Sequence, residues 1–413
     1  MAAQLPLDAE KWMSRALALA RRGEALASPN PMVGAVLVRN GRAVGQGFHT
    51  YDGLLHAEII ALEAAGSAAR GATLYINLEP CCHQGRTAPC TRALIAAGVK
   101  RVAAAMPDPN PAVAGRGFRQ LRAAGVDVLT GVAESEARRL NEAFAVWITS
   151  RRPLVTLKSA MTLDSHMVLP HHTGAGCTCS PRQNRRTSRW ITSEAARAEV
   201  HRMRHASDAI LTGIGTVLAD NPLLTDRTGL SRRRPLLRVV LDSRLRLPLR
   251  SQLVRTAKGD VLVFTAASQF SPRARALTRA GIEIVTLRPT IRATRKRRHS
   301  VYPEPRRERS GESLRLDLRQ VLDELGRRDI LSLMLEPGPT LHQAALDAGV
   351  VDKVRLFYAP TLAGLPAAEQ RLGARATSKL RNLSDLRIES FGPDFAVEAY
   401  LRDIYRNRPA GSR

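Results

Sequence analysis

Aromatic residues are scarce: Phe, Trp and Tyr together make up 4% of the 413 residues. Hydrophobic residues still reach 44%, so Ala, Leu and Val must build the cores, and a largely disordered chain is excluded. No run of eighteen apolar residues occurs, which argues against a membrane-spanning helix. The segment from Met1 to Trp12 has acids and no long apolar stretch, so it does not read as a secretory signal, and a cytoplasmic protein is expected. Cysteine is also sparse. Five residues, an odd number, make a poor disulfide framework and point to metal or catalytic use instead.

Acids are the other shortage. There are 37 Asp and Glu against 63 Lys and Arg, a net charge of +26. The excess is uneven. Residues 288–309 hold nine Lys and Arg against two Glu, and residues 165–189 hold four Arg and no acid, so eleven of the twenty-six charges sit in two short stretches. These read as basic insertions. They lack interleaved aromatics, so a solvated or phosphate-seeking surface is expected and a nucleic-acid partner is not.

What remains alternates between helical and strand patterns. A helix is expected from Ala9 to Ala25, and Asn40-Gly41 between two apolar runs signals a hairpin. Thr87 to Ala97 reads as a helix with Pro89 in its first turn, and Ala133 to Phe144 as another. A boundary falls near Ser150-Arg151-Arg152-Pro153. A second alternating unit follows, with Thr192 expected to cap a helix and Pro339 to Ala348 expected to form one closed by Gly349. Strands alternating with helices imply mainly parallel sheets covered on both faces. No repeat of fixed period is visible.

The sharpest chemical signal is His56-Ala57-Glu58 followed by Pro80-Cys81-Cys82 and Pro89-Cys90. One His and two Cys satisfy a catalytic zinc that keeps its fourth position for water. Glu58, two residues past His56, is placed to move protons. Cys82 is read as a neighbour. A structural zinc or a pair of buried thiols would not need Glu58. The pattern is similar to the zinc nucleobase deaminase signature, with a longer gap between the two cysteines.

That gap encloses His83-Gln84-Gly85-Arg86-Thr87. Together with Ser28-Pro29-Asn30-Pro31-Met32-Val33-Gly34 and Gly45-Gln46-Gly47-Phe48-His49, it closely resembles the bifunctional riboflavin-biosynthesis deaminase/reductases. The second unit resembles the reductase half of the same family in Arg152 to Asp164, Ser188 to Thr192, Asp208 to Pro222, Leu241-Asp242-Ser243 and Glu336 to Leu341. The resemblance implies an α/β protein. A cytidine-deaminase-like three-layer α/β/α domain (1–148) would be followed by a dihydrofolate-reductase-like α/β domain (149–413) with basic insertions near 165–187 and 288–312.

It also implies the chemistry. A diamino-pyrimidinone ribosyl phosphate would be deaminated with zinc on His56, Cys81 and Cys90 and Glu58 as proton shuttle, and contacted by Asn30, His49 and His83. On the residues alone, Asn30 could simply shape a turn, His49 could close a strand, and Arg86 could bind phosphate or cap its turn. The ribosyl group would then be reduced with NADPH. Contacts to NADPH are implied for Ala160, Trp190, Thr216, Asp220, Ser243, Gly338, Pro339, Thr340, Leu341, His342, Gln343 and Ala344. Reductase substrate contacts are implied for Ser188, Arg204, Leu224, Arg227 and Glu336. The guanidinium forks of Arg204 and Arg227 suit phosphate oxygens. Lys158 and Asp220 are candidates for polarising or protonating the sugar, and Lys158 could instead pair with an acid near the sheet end. A small-molecule pyrimidine substrate, a homo-oligomer and no membrane contact are expected.

The chain departs from the family pattern after Asp164. Ser165 stands where a Gly is usual, Asn221 replaces a usual Asp, and Pro337 a small residue. Residues 166–187 are Gly/Pro/Ser-rich and contain His171, His172, Cys177 and Cys179, read as an insertion rather than a second metal site. Two other functions stay open on the sequence: a deaminase whose reductase half only scaffolds, and a basic nucleic-acid-binding deaminase-like module.

Overall fold

The computed structural model describes residues 8–167, 190–291, 314–363 and 381–405. In chain order its first elements are α1 (Ala9–Arg21), β1 (Gly34–Arg39), β2 (Arg42–Phe48), α2 (Ala57–Ala65), β3 (Thr73–Ile76), α3 (Cys90–Ala96), β4 (Arg101–Ala104), α4 (Arg116–Ala123), β5 (Asp127–Thr130), α5 (Glu134–Leu140) and α6 (Glu142–Ser150). The strands form one sheet in the order β2-β1-β3-β4-β5. β1 runs antiparallel to both β2 and β3, and β3, β4 and β5 are parallel.

Alternation along the strands makes three layers. Val36, Val38, Tyr75, Ala103 and Leu129 pack with α1 and α5 on one face. Ala35, Leu37, Leu74, Ile76, Val102, Ala104 and Val128 pack with α2, α3 and α4 on the other. Asn40 and Gly41 adopt φ of 50° and 70°, as the expected hairpin turn requires.

The remaining elements are β6 (Leu154–Thr162), α7 (Glu194–Ala206), β7 (Ala209–Gly213), α8 (Ile214–Asp220), β8 (Leu237–Leu241), α9 (Gln252–Arg255), β9 (Val261–Thr265), α10 (Pro272–Arg279), β10 (Ile282–Thr286), β11 (Thr290–Ile291), β12 (Leu314–Arg315), α11 (Leu318–Arg327), β13 (Ser332–Leu335), α12 (Pro339–Ala348), β14 (Lys353–Ala359), β15 (Ser384–Phe391) and β16 (Asp394–Tyr400). Nine of these strands form a sheet in the order β10-β9-β8-β7-β13-β6-β14-β16-β15. It is parallel from β10 to β14, and β16 and β15 add antiparallel. Val155, Leu211, Val239 and Leu333 face α11 and α12, whereas Ile210, Val240 and Val263 face α8, α9 and α10. β11 and β12 pair as a separate two-stranded ribbon.

Several expectations need correction. The first helix stops at Arg21, not Ala25, where the chain turns through Gly23 and a left-handed Ala25. The Thr87 helix begins only at Cys90, with Pro89 as its cap, because the preceding loop is held open around Cys81. Ser193, not Thr192, caps α7, its Oγ accepting from Ala196 N at 3.3 Å. The expected Ala133–Phe144 helix is two helices broken at Asn141. That buried amide is committed elsewhere, accepting from Met32 N at 2.8 Å and donating to Met32 O at 3.0 Å. α6 then runs to Ser150, ahead of the Arg151-Arg152-Pro153 segment.

The basic insertions near 165–187 and 288–312 fall largely outside the described residues, as do Ser188, His171, His172, Cys177 and Cys179. Among the described residues, no helix is long and apolar enough to cross a membrane.

Candidate active sites

The first site lies where two helix N-termini meet. His56 caps α2 in an extended conformation, and Glu58 sits in that helix's first turn. Cys81 lies in the loop after β3, and Cys90 opens α3. Cys90 N donates to Cys81 Sγ at 3.3 Å, an N-terminal amide turned onto a sulfur that favours the thiolate. His56 Nδ1 lies 3.2 Å from Cys90 Sγ and 3.5 Å from Cys81 Sγ. The three donor atoms fall within 4.8 Å of one another.

The two sulfurs share a proton here. Cys81 is drawn down to about 4, first by the hydrogen bond from Cys90 and further by His56, while that bond and burial hold the Cys90 thiol high. One imidazole and two closely set sulfurs fit zinc, which takes the place of that proton. Cys82, half-exposed and pushed up by burial, stands outside the set.

Glu58 is 3% exposed. Burial, reinforced by the charge of Cys81, pushes its carboxyl up to about 7. It borders a cavity of about 280 Å³ that also touches Asn30, His49, His56, Cys81, His83 and Arg86. Asn30 and His49 work as a pair. His49 Nδ1 lies 2.9 Å from Leu55 O, a pure acceptor, so Nδ1 carries the proton and Nε2 accepts from Asn30 Nδ2 at 2.9 Å. Burial draws His49 below the ordinary imidazole range, which favours the neutral ring that arrangement needs. Asn30, His49, His56, Glu58, Cys81 and His83 thus border one cavity, and Cys90 lies behind it against His56 and Cys81.

It missed the far wall. Phe144, Trp147 and Ile148 line the cavity from α6, which was expected to end at Phe144. It also missed Glu79. This buried carboxylate accepts from Asp108 N (3.1 Å), Gly115 N (2.8 Å) and Phe118 N (3.2 Å), and so seats the Asp108–Asn110 turn on the cavity edge. The available signal was an acid at a strand end directly ahead of Pro80-Cys81.

The second site lies at the carboxyl ends of neighbouring parallel strands, where open α/β sheets bind ligands. Lys158 is on β6, Glu336 follows β13, and Arg204 is on α7. The Arg204 fork holds both Glu336 oxygens, Nε to Oε1 at 2.8 Å and Nη2 to Oε2 at 2.9 Å. That fork is thus occupied by a carboxylate, whereas the sequence reading offered it to a phosphate. Burial disfavours the Glu336 charge, but Arg204 and Lys158 outweigh it and hold the carboxyl low. Burial lowers Lys158, and Glu336 opposes that. Arg227 is exposed, while Leu224 is buried with φ of 54°.

The expected NADPH contacts occupy the same edge. Ala160 lies in the last third of β6, Thr216 follows β7, Ser243 follows β8 and Gly338 follows β13, and these four strands are contiguous in the sheet. Gly338 caps α12, opening Pro339, Thr340, Leu341, His342, Gln343 and Ala344. A Cβ on Gly338 would stand 3.2 Å from Thr216 Oγ1, a tight contact that the glycine avoids. His342 Nδ1 lies 3.1 Å from Ser159 Oγ. A ten-residue helix opening on a bare glycine suits the phosphates of a dinucleotide. Trp190 is 59% exposed ahead of α7, and Asp220 ends α8.

The departures from the family pattern have local accounts. Ser165 keeps the left-handed conformation for which Gly is suited, at φ 67°, in a turn closed by Ser165 N to Thr162 O at 2.8 Å. Asn221 is the left-handed cap of α8, and its Oδ1 accepts from Gln252 N at 2.8 Å. Pro337 is buried just ahead of the Gly338 turn.

Known proteins share this arrangement. A family model of the cytidine and deoxycytidylate deaminase zinc-binding region matches residues 7–106, and one of the RibD C-terminal domain matches residues 153–397. The fold and sites thus define a zinc-type deaminase unit carried on one chain with a RibD-type reductase unit. The riboflavin biosynthesis protein RibD of Escherichia coli (strain K12) is 40% identical over 400 residues, 94% of this chain and 98% of that protein. A solved RibD of Acinetobacter baumannii is 32% identical with a TM-score of 0.74, covering 95% of this chain and 98% of that one. A solved deaminase/reductase of Thermotoga maritima is 32% identical with a TM-score of 0.72 over the same shares. The chain belongs to the riboflavin biosynthesis protein RibD family. It is a bifunctional deaminase and reductase, with zinc and NADPH as its cofactors. None of these findings favours a scaffold-only reductase half or a nucleic-acid-binding module.

Proposed function

We propose that residues 1–148 deaminate 2,5-diamino-6-(5-phospho-ribosylamino)pyrimidin-4-one, and that residues 149–413 reduce the ribosyl group of the product to ribityl. The Thermotoga maritima relative is described as a diaminohydroxyphosphoribosylaminopyrimidine deaminase/5-amino-6-(5-phosphoribosylamino)uracil reductase, which agrees with this order. The observation that carries the reading is the buried Glu58 carboxyl at the wall of one cavity with His56 and Cys81, which cluster with Cys90.

Zinc, when bound by those three residues, supplies the Lewis acid that makes water nucleophilic near neutral pH. Glu58 takes a proton from the attacking water and hands it to the leaving amine, so that a C–N bond breaks, a C–O bond forms and ammonia departs. A carboxyl titrating near 7 can both accept and release that proton. Asn30, oriented by His49, holds the pyrimidine, with His83 at the rim. In the reductase unit, the edge around Gly338 would hold NADPH, which when bound would supply the hydride for C1′ of the sugar. Lys158 provides the proton that the opening ring oxygen needs, and the Arg204–Glu336 pair fixes the floor on which the sugar rests. We also assign the enzyme to the cytoplasm as a homo-oligomer.

The test resolves products by mass, with the zinc-loaded enzyme and this substrate. A gain of about one mass unit without NADPH and about two more with it is expected, from amine-to-carbonyl exchange and then addition of two hydrogens. No deamination by the wild type, or an unchanged rate in Glu58→Ala, would overturn the assignment.

A further inference from the structure

The deaminase cavity is built against the reductase unit. The Ser28-Pro29-Asn30 turn, which carries Asn30, is held from the segment between α8 and β8. Arg233 N donates to Ala25 O at 3.0 Å, Arg233 Nε donates to Ser28 O at 3.1 Å, and Arg234 Nη2 donates to Ser28 Oγ at 3.3 Å. The same Arg233 guanidinium lies 3.9 Å from the centre of the Tyr51 ring, and Arg86 lies 4.4 Å from that ring. Arg86 is on the cavity wall and Arg233 is not. The Arg233 side chain is 15% exposed, and its carboxylate partner, Asp52 at 3.8 Å, is 74% exposed. An ion pair that distant and that wet contributes little. The work of Arg233 is therefore its hold on the Ser28 carbonyl and the Tyr51 face.

We propose that Arg233, a residue of the reductase unit, is a positioning residue for deamination. It sets where Asn30 and Arg86 stand around the pyrimidine substrate. The inference rests on the deaminase reading above. Asn30 follows Ser28 by two residues, so loosening the Ser28 carbonyl loosens the amide that meets substrate. Arg86 shares the Tyr51 ring with Arg233, so loss of one guanidinium frees the ring that carries the other. Arg233 itself touches Ala25, Ser28, Tyr51 and Asp52 rather than Glu58 or the three metal-binding side chains.

The test uses the full-length, zinc-loaded chain. In Arg233→Ala, KM for deamination is expected to rise about tenfold while kcat stays within about twofold, the signature of lost ground-state positioning. Zinc content is expected to stay the same. Reduction of the deaminated intermediate, supplied directly with NADPH, is expected to keep its rate. Arg233→Lys, which keeps the charge and loses the planar fork, is expected to raise KM about threefold and serves where the alanine variant folds poorly. An unchanged KM in both variants would overturn the proposal. So would a parallel fall in both activities, which would make Arg233 a prop of the whole fold. A wild-type enzyme that does not deaminate this substrate would instead overturn the reading beneath it.

Discussion

The two sites are assembled on different length scales. In the first, His56 and Cys90 are 34 residues apart, and every donor sits on a helix start or the loop beside one. In the second, Arg204 and Glu336 are 132 residues apart and meet only because β13 is threaded between β7 and β6. A site gathered from one short stretch depends on local backbone geometry. A site gathered along a sheet edge depends on the whole sheet being in register. The His56, Cys81 and Cys90 donors of the first therefore tolerate damage elsewhere in the chain, although the Ser28-Pro29-Asn30 turn beside them is held by Arg233, and the second shares its fate with the core beneath it.

That contrast can be broken by variants that strike one site alone. Glu58→Ala should give the largest effect, lowering deamination by about 10²–10⁴-fold by removing the proton shuttle, with reduction unaffected. Chelation of zinc should do the same reversibly, and metal analysis read against the two activities separates the halves. Glu336→Gln should abolish most reduction and leave the Arg204 charge uncompensated where both side chains are about 15% exposed. A loss of ~3 kcal/mol in denaturant unfolding is expected, with deamination surviving in the folded fraction.

Glu79→Gln sharpens the comparison from inside the first site. It replaces a carboxylate receiving three backbone N–H groups by an amide that cannot accept through its nitrogen. A loss of about 1–3 kcal/mol and a several-fold rise in the deamination KM are expected, measured by unfolding and steady-state kinetics. The smallest effect is Ser165→Gly. Relief of the left-handed serine is partly offset by the greater freedom of glycine in the unfolded chain, so a gain of at most ~1 kcal/mol is expected. A loss of stability would show that the Ser165 side chain is itself holding the turn.

The deaminase site was legible because its spacing is local. A His at one helix start, an acid two residues on and two cysteines around another helix start leave few ways to face one another. Its back wall was not legible, because Trp147 and Ile148 lie past a helix break that only the Asn141–Met32 pairing explains. In the reductase site each residue was named through the family likeness, while its local sequence says little. Arg204 looked like any surface arginine until the sheet order set Glu336 against it. The short helices α8, α9 and α10 were also not read. They are brief, and their apolar positions have meaning only against Ile210, Val240 and Val263 beneath them.

By itself, the sequence determined the alternation of strands and helices, the Asn40-Gly41 hairpin, the His56, Cys81 and Cys90 cluster with its acid, and the Gly338 turn ahead of α12. Those features follow from backbone preference and from spacings short enough for one or two elements to enforce. The tertiary structure alone decided that Arg204 spends its fork on Glu336, that Glu79 seats the cavity edge, and that Arg233 of the second unit grips the substrate turn of the first. Such contacts join residues whose distance along the chain carries no information about their distance in space. They exist because burying both faces of two sheets leaves one arrangement in which these charges and amides find partners.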